Sequence, residues 1–391
     1  MTAERRRREQ RGRDAEALAA AFLRKAGYDI LAERLRTPSG EIDLIAFRAP
    51  VLAFVEVKAR TSIGRGLFAL SPRQAARIAA AAGASGIGLT LLPVFYAHSG
   101  FGGLPPTEGQ RRFVNDLDGF ARLLEGAGKA LAALPDARLG LAPHSLRAAT
   151  PEEITALAGM VPDGPVHIHI AEQMQEVESC LAWSGRRPVE WLLENQQVDG
   201  RWCLVHATHL LPSETAALAA SGAVAGLCPL TEANLGDGIF DGVNYLAAGG
   251  RYGIGSDSNI ELDVPGELKM LEYSQRLRDR GRNLMVRGQE GSSTGRALYD
   301  AALAGGAQAL GRRIGALAVG HRADIVVLDA DHPDIALAQG DRWLDAYIFV
   351  AGKPAIDRVI IGGETLVEGG RHRARDELAA RYRAALDGLR A

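Results

Sequence analysis

Cysteine is scarce. The 391 residues hold three, Cys180, Cys203 and Cys228, with no CxxC pair and no short-spaced metal cluster. This excludes a disulfide scaffold and fits a reducing, cytoplasmic setting. Histidine is missing from the first quarter of the chain, since all nine lie at or after His98. Asp, Glu, Lys and Arg are missing between Arg77 and Glu108, a stretch long enough for a membrane span. Gly83, Gly86, Gly88, Pro93, Gly100, Gly102 and Gly103 interrupt it, so it reads as a helix end, a loop and a buried strand. The basic run Arg5 to Arg8 is followed by no apolar core, so it is not read as a secretory signal. A soluble chain without a membrane segment is expected.

What is present is globular. Hydrophobic residues make up 47% and charged residues 24%, enough for two or three domains or one large α/β barrel with attachments. The net charge of −2 hides an asymmetry, because residues 1–80 carry +7 and residues 81–391 carry −9. A basic first segment permits a nucleic-acid partner, although a solvated surface gives the same pattern.

In the first segment Asp14 to Ala26 has the spacing of an amphipathic helix, with Leu18, Phe22 and Leu23 on one face and Gly27 as its stop. Two short strands, 41–47 and 51–58, flank Arg48-Ala49-Pro50. A hairpin centred between Ala49 and Pro50 pairs residues whose numbers sum to 99. Asp43 then faces Glu56, and Glu41 faces Lys58, all on one face. Two opposed carboxylates repel unless a cation sits between them, and oxygen ligands suit Mg2+.

In the second segment strands and helices alternate. Six core strands are expected, at 89–97, 138–142, 166–171, 203–206, 223–228 and 252–255, with helices at 111–131, 151–159, 174–183 and 212–221 between them. Repeated β-then-α units indicate a parallel sheet, and at this length a (β/α) barrel leads. Chemistry in such barrels sits at the strand ends. His98, His144, His169 with Glu172, His206 and Asp257 each follow an apolar strand run. His169 and Asp257 could supply imidazole and carboxylate ligands to Zn2+, with His206 nearby and Glu172 one short loop away. Zinc with an open position lowers the pKa of its water to about 7, and a neighbouring carboxylate can then carry protons to a leaving nitrogen. His167 is expected to point away from His169 and to serve packing or to donate a hydrogen bond behind the ligands. His209 stands open between site and scaffold, and His321, His332 and His372 are read as bystanders.

Two families are approached by these residues. Gly40-Glu41-Ile42-Asp43-Leu44-Ile45 followed by Phe54-Val55-Glu56-Val57-Lys58-Ala59-Arg60 resembles the YraN family, which has a restriction-endonuclease-like fold. The resemblance implies a metal-dependent nuclease core with Asp43, Glu56 and Lys58, joined by Glu16, and it fades after about Ala82. In the second segment LPVFY (92–96), SGFGG (99–103), APHSLR (142–147), HIHIAEQ (167–173), VHATH (205–209), CPLTEANLGDG (228–238) and GSDSN (255–259) occur in order. Together they resemble the formimidoylglutamate deiminases of the amidohydrolase superfamily, from about residue 84 to the C-terminus. That resemblance implies that His169 and Asp257 bind zinc, that Glu172 shuttles protons and that His206 orients the attacking hydroxide. It further implies that His144 and Arg147 hold a substrate carboxylate, with Tyr96 and His209 as further contacts. The implied substrate is N-formimino-L-glutamate, and a homodimer is the usual assembly.

The resemblance also implies a His-x-His pair on the first barrel strand, and no histidine precedes His98. Counting strands agrees: six are assignable where a barrel has eight. The expected organisation is therefore an α/β chain of four parts. Residues 1–82 form a shortened endonuclease-like α/β segment and 84–318 an amidohydrolase barrel lacking its first strands. Residues 319–371 supply strands of a small β-sandwich, and 372–391 a C-terminal helix. Two shortened patterns meeting in one Ala-rich stretch near 71–84 point to an abnormal join.

Overall fold

Four helices of the second segment begin with the same device. Pro151, Pro188, Pro212 and Pro229 each occupy the first helical turn, where a fixed φ helps and the missing N–H costs nothing. In three of them a glutamate two residues on folds back onto the backbone N–H just before the helix. Thr150 N donates to Glu153 at 2.8 Å, Arg187 N to Glu190 at 3.3 Å and Leu211 N to Glu214 at 2.9 Å. In the fourth the acid comes one residue later: Cys228 N donates to Glu232 Oε1 at 2.9 Å.

The computed structural model describes residues 20, 21, 23–25, 28–37, 40–48, 51–55, 72–134, 136–257, 261–286 and 291–390. Two units result, Met1–Phe68 with Ala374–Ala391, and Ala69–Arg373. The helix Pro72–Ser85, which the sequence reading divides near residue 82, belongs to the second unit. There Ala75 and Ala79 pack with Leu91, Ala127 and Leu131.

The first unit carries an antiparallel sheet in the order β1 (Asp29–Thr37), β2 (Gly40–Arg48), β3 (Val51–Val55). The hairpin register is the expected one: Leu44 pairs with Val55, Ala46 with Ala53 and Arg48 with Val51, each summing to 99. Asp43 lies within β2, whereas Glu16, Glu56 and Lys58 lie outside the described residues, and with them the acidic cluster. Strand β1 escapes a period-two reading because its register shifts between Ile30 and Ala32. Helix Arg375–Arg390 belongs to this unit.

The second unit is built on parallel strands. The expected strand 89–97 is split into β4 (Thr90–Leu91) and β5 (Val94–Phe95), around Pro93, which cannot donate to a ladder. Strand 138–142 is likewise split into β6 (Arg138–Leu139) and β7 (Ala142–Pro143). Between them, a side chain at Gly140 would sit 2.3 Å from the Pro165 carbonyl. β4 pairs with β6 and β5 with β7, both in parallel. Bridges from Leu141 to Val166 and from Ser145 to His169 continue the row to β8 (Val166–Ile170). Then follow β9 (Trp202–His206), β10 (Val224–Leu227) and β11 (Arg251–Ile254), each parallel to the last. All six expected strand positions are occupied.

Helices cover the row, and Ile168, Ile170, Leu204, Ala225, Leu227 and Tyr252 are buried against them. Beyond lies an antiparallel sheet of β12 (Ile325–Leu328), β13 (Ile356–Ile361), β14 (Glu364–Glu368) and β15 (Arg371–His372). No described helix is long and apolar enough to cross a membrane.

Candidate active site

The polar side chains gather where the parallel strands end. His144 follows β7, His169 lies near the end of β8, His206 closes β9, and Asp257 stands three residues past β11. Four aromatic rings form a row across these ends. Tyr96 to His144, His144 to His169 and His169 to His206 have centroids 4.9, 5.0 and 5.7 Å apart. The backbone here is strained. Ala171, His206, Ala207 and Asp257 have φ of 50°, 68°, 47° and 48°, a left-handed region that side chains with a Cβ occupy at a cost. The chain holds this geometry only because neighbours fix it. Ala207 N donates to the Ile170 carbonyl at 3.0 Å, and His209 N to the Ala171 carbonyl at 3.1 Å.

Each imidazole has one nitrogen committed. His169 Nδ1 donates to the His144 carbonyl at 2.8 Å, which leaves Nε2 unprotonated. His206, 1% exposed, places Nδ1 3.2 Å from Glu232 Oε1. Its Nε2 faces Glu172 Oε1 at 3.8 Å and Asp257 Oδ2 at 3.9 Å. Burial holds His169 below the ordinary histidine range. Burial also pulls His206 down, but the Glu232 hydrogen bond and the carboxylates of Glu172, Glu232 and Asp257 outweigh it and leave it raised. His144 is pushed down to about 4 by burial, then by His169 and Arg147, so it is neutral at pH 7. The fixed positive charge beside it is Arg147.

Arg147 and Glu172 line one concavity of about 600 Å³, with Phe101, Gln173, Glu176 and Trp183. Behind Arg147 stands Glu176, 4% exposed, whose Oε2 is 3.7 Å from Nη2. Its other oxygen accepts from Ala171 N at 3.0 Å, next to Glu172. Tyr96 Oη accepts from Gln110 Nε2 at 2.8 Å. His209 has its carbonyl held by Arg187 Nη2 at 2.6 Å, while its own Nε2 is buried without a partner.

Two histidines change their reading. His98 sits 2.9 Å from Glu153, the residue that caps helix Pro151–Met160, so it serves that helix. His167 shares the face of His169, because residues two apart in a strand point the same way; Ile168 is the buried one between them. Its role is still packing, with Nε2 donating to the Ala309 carbonyl at 2.8 Å.

Glu232 is the residue to which sequence reasoning gave no role. The signal was its place one residue late in the Pro-then-Glu helix start. That shift lets one oxygen take both the Cys228 N–H and the His206 ring. Its neighbour Thr231 donates to the Ser256 carbonyl at 2.8 Å, adjacent to Asp257.

Comparison with known proteins agrees with this layout. Residues 59–366 match the amidohydrolase family model, and residues 15–85 match that of uncharacterised protein family UPF0102. The two matches overlap across helix Pro72–Ser85. The formimidoylglutamate deiminase of Pseudomonas aeruginosa is 58% identical over 306 residues, which covers 78% of this chain and 67% of that protein. A UPF0102 protein of Rhodopseudomonas palustris is 56% identical over 73 residues, 19% of this chain and 56% of its own length. Among solved structures, an amidohydrolase from Brucella melitensis superposes with a TM-score of 0.78 at 52% identity, covering 83% of this chain and 71% of that one. A zinc-bound adenosine deaminase from Xanthomonas campestris reaches 0.67 at 24% identity, covering 80% and 68%.

Proposed function

The chain belongs to the amidohydrolase family, and from that membership we propose that it hydrolyses N-formimino-L-glutamate to N-formyl-L-glutamate and ammonia. The observation that carries this reading is the 58% identity with the Pseudomonas aeruginosa formimidoylglutamate deiminase, over a segment that includes every strand-end residue above. The donor set suits zinc. His169 offers a free Nε2 with Nδ1 already anchored, and Asp257 offers a carboxylate on a turn tied down through Thr231. Bound there, zinc would supply a water acidified to near neutral pH. Glu172, which lines the concavity, would accept a proton from the water that adds to the formimino carbon. It then returns a proton to the departing nitrogen, so that water adds and ammonia leaves. His206, raised in pKa beside three carboxylates, faces the same space and steadies the charge that develops on the attacking oxygen.

Arg147 is assigned to a substrate carboxylate, for which a planar guanidinium fork is suited. Neutral His144 and Tyr96 add hydrogen bonds, and His209 offers its unpartnered Nε2. Replacing Arg147 with alanine is expected to raise KM about 10- to 100-fold, the worth of one or two charge-assisted hydrogen bonds, with kcat nearly kept. An unchanged KM would remove Arg147 from this role.

The row of parallel strands supports a barrel with six of eight strand positions filled among the described residues. Residues 319–371 then belong to the flanking β-sandwich, 372–391 to a terminal helix, and 1–82 to a shortened endonuclease-like segment. A nuclease activity using Mg2+ gains no support from the comparisons, whose first-segment match is to an uncharacterised family. The deciding assay is ammonia release from N-formimino-L-glutamate by the full chain supplied with zinc. Soluble, zinc-loaded protein that releases none refutes the proposed reaction.

A further inference from the structure

Glu176 departs from the capping habit of its neighbours. It is the third residue of helix Met174–Ser184, the place from which Glu153, Glu190 and Glu214 each reach the N–H just before their own helix. Glu176 reaches further back. Its Oε1 accepts from Ala171 N at 3.0 Å, two residues before the Gln173 cap and next to Glu172. Its Oε2 lies 3.7 Å from Arg147 Nη2. That oxygen and Arg147 Nε are both buried with no hydrogen-bond partner among the described residues.

We propose that Glu176 is a positioning residue, one carboxylate that fixes both the peptide leading into Glu172 and the guanidinium of Arg147. It thereby holds the proton carrier and the substrate-carboxylate holder at a set separation. The inference rests on the roles given above to Glu172 and Arg147, and adds the residue that joins them.

The cost of the arrangement points the same way. Glu176 is 4% exposed, and a carboxylate in such a place is expensive without a partner of opposite charge. If the Ala171 N–H alone needed an acceptor, a neutral amide oxygen would serve at less cost. Burial pushes the Glu176 carboxyl up, and Arg147 is the largest influence drawing it back, ahead of the Ala171 N–H.

Each half of the contact suits its task. Ala171 has a φ of 50°, so its peptide needs an outside hold, and the bond to Glu176 supplies one. The Arg147 separation is longer than a hydrogen bond, so Glu176 orients the guanidinium through charge without using up its donors. Those donors remain available to a carboxylate entering the concavity that Arg147, Glu172 and Glu176 all line.

The test compares Glu176→Gln, Arg147→Ala and the double variant in the full chain. Two readouts are taken, ammonia release from N-formimino-L-glutamate and calorimetric binding of N-formyl-L-glutamate. Glutamine keeps an oxygen for the Ala171 N–H but turns an amide NH2 toward Arg147. Glu176→Gln is therefore expected to raise KM and weaken N-formyl-L-glutamate binding about 10-fold, with kcat within about threefold of wild type. In the Arg147→Ala background the same substitution is expected to change neither KM nor binding, because it acts through that guanidinium. A glutamate that served only the helix would show no such coupling. Glu176→Gln with wild-type KM and binding overturns the proposal, and so do effects that simply add in the double variant. Glu176→Leu removes the hold on Ala171 as well and is expected to lower kcat at least about 10-fold; a folded leucine variant with wild-type kcat is equally fatal. A chain that binds N-formyl-L-glutamate with this coupling but releases no ammonia leaves Glu176 in its role and removes the proposed reaction. Ammonia release with additive variants does the reverse, and a chain that neither binds nor reacts removes both.

Discussion

Glu172→Gln is expected to lower kcat for ammonia release by about 10³-fold or more, with KM and thermal stability nearly unchanged. Glutamine has the shape of glutamate and keeps an oxygen toward the site, but it cannot take a proton from water at neutral pH. Both halves of the reaction depend on that transfer, because attack delivers a proton and departure of ammonia consumes one. Stability should hold because the Glu172 side chain is partly exposed in the concavity and accepts no hydrogen bond among the described residues. Its position is set from behind by the strained Ala171, whose N–H is gripped by Glu176. Zinc content should also be unaltered, since His169 and Asp257 are untouched. A variant that keeps activity within tenfold would show that another group carries the proton, and His206 would be the first to examine.

Much of the site could be read from the sequence because its parts are local. A histidine or carboxylate just after an apolar strand run falls at a strand end, and parallel strands gather those ends at one edge. His144, His169, His206 and Asp257 needed no more than that. The hairpin register followed from a two-residue turn and period-two geometry alone. What could not be read is non-local or irregular. The contact of Glu232 with His206 joins residues 26 apart through the position of one short helix. The breaks at Pro93 and Gly140 depend on what packs opposite, the Pro165 carbonyl in the second case. The partner of His98 is a helix cap whose own geometry decides which side chains it reaches. His167 was open to correct assignment throughout, since alternation alone places it with His169.

Gly305→Ala is expected to cost about 3 kcal/mol or more, the upper range for overpacking a core. A Cβ at Gly305 would lie 1.9 Å from the Tyr252 carbonyl oxygen and 2.3 Å from its carbon, both backbone atoms of β11. No rotamer change relieves such a clash, so helix Thr294–Ala309 must lift away. That helix has far-reaching attachments. Gln308 Nε2 donates to the Gly200 and Gly222 carbonyls at 2.9 and 2.8 Å, ahead of β9 and β10. Just beyond it, Thr90 donates to the Leu310 carbonyl at 2.9 Å and Arg312 to the Leu89 carbonyl at 3.0 Å, at β4. One segment thus touches β11 and β4, the two outer members of the strand row, and His167 ties it to β8 beneath His169. Lifting it therefore loosens the site as well as the sheet, and zinc affinity should fall with stability. The neighbouring residue supplies the control. A Cβ at Gly306 meets nothing within 4 Å, so Gly306→Ala should gain up to about 1 kcal/mol from helix propensity alone. Denaturant midpoints that move in opposite directions for these adjacent substitutions would establish the close backbone contact, whereas a shared gain in stability would mean the helix does not lie against β11 at all.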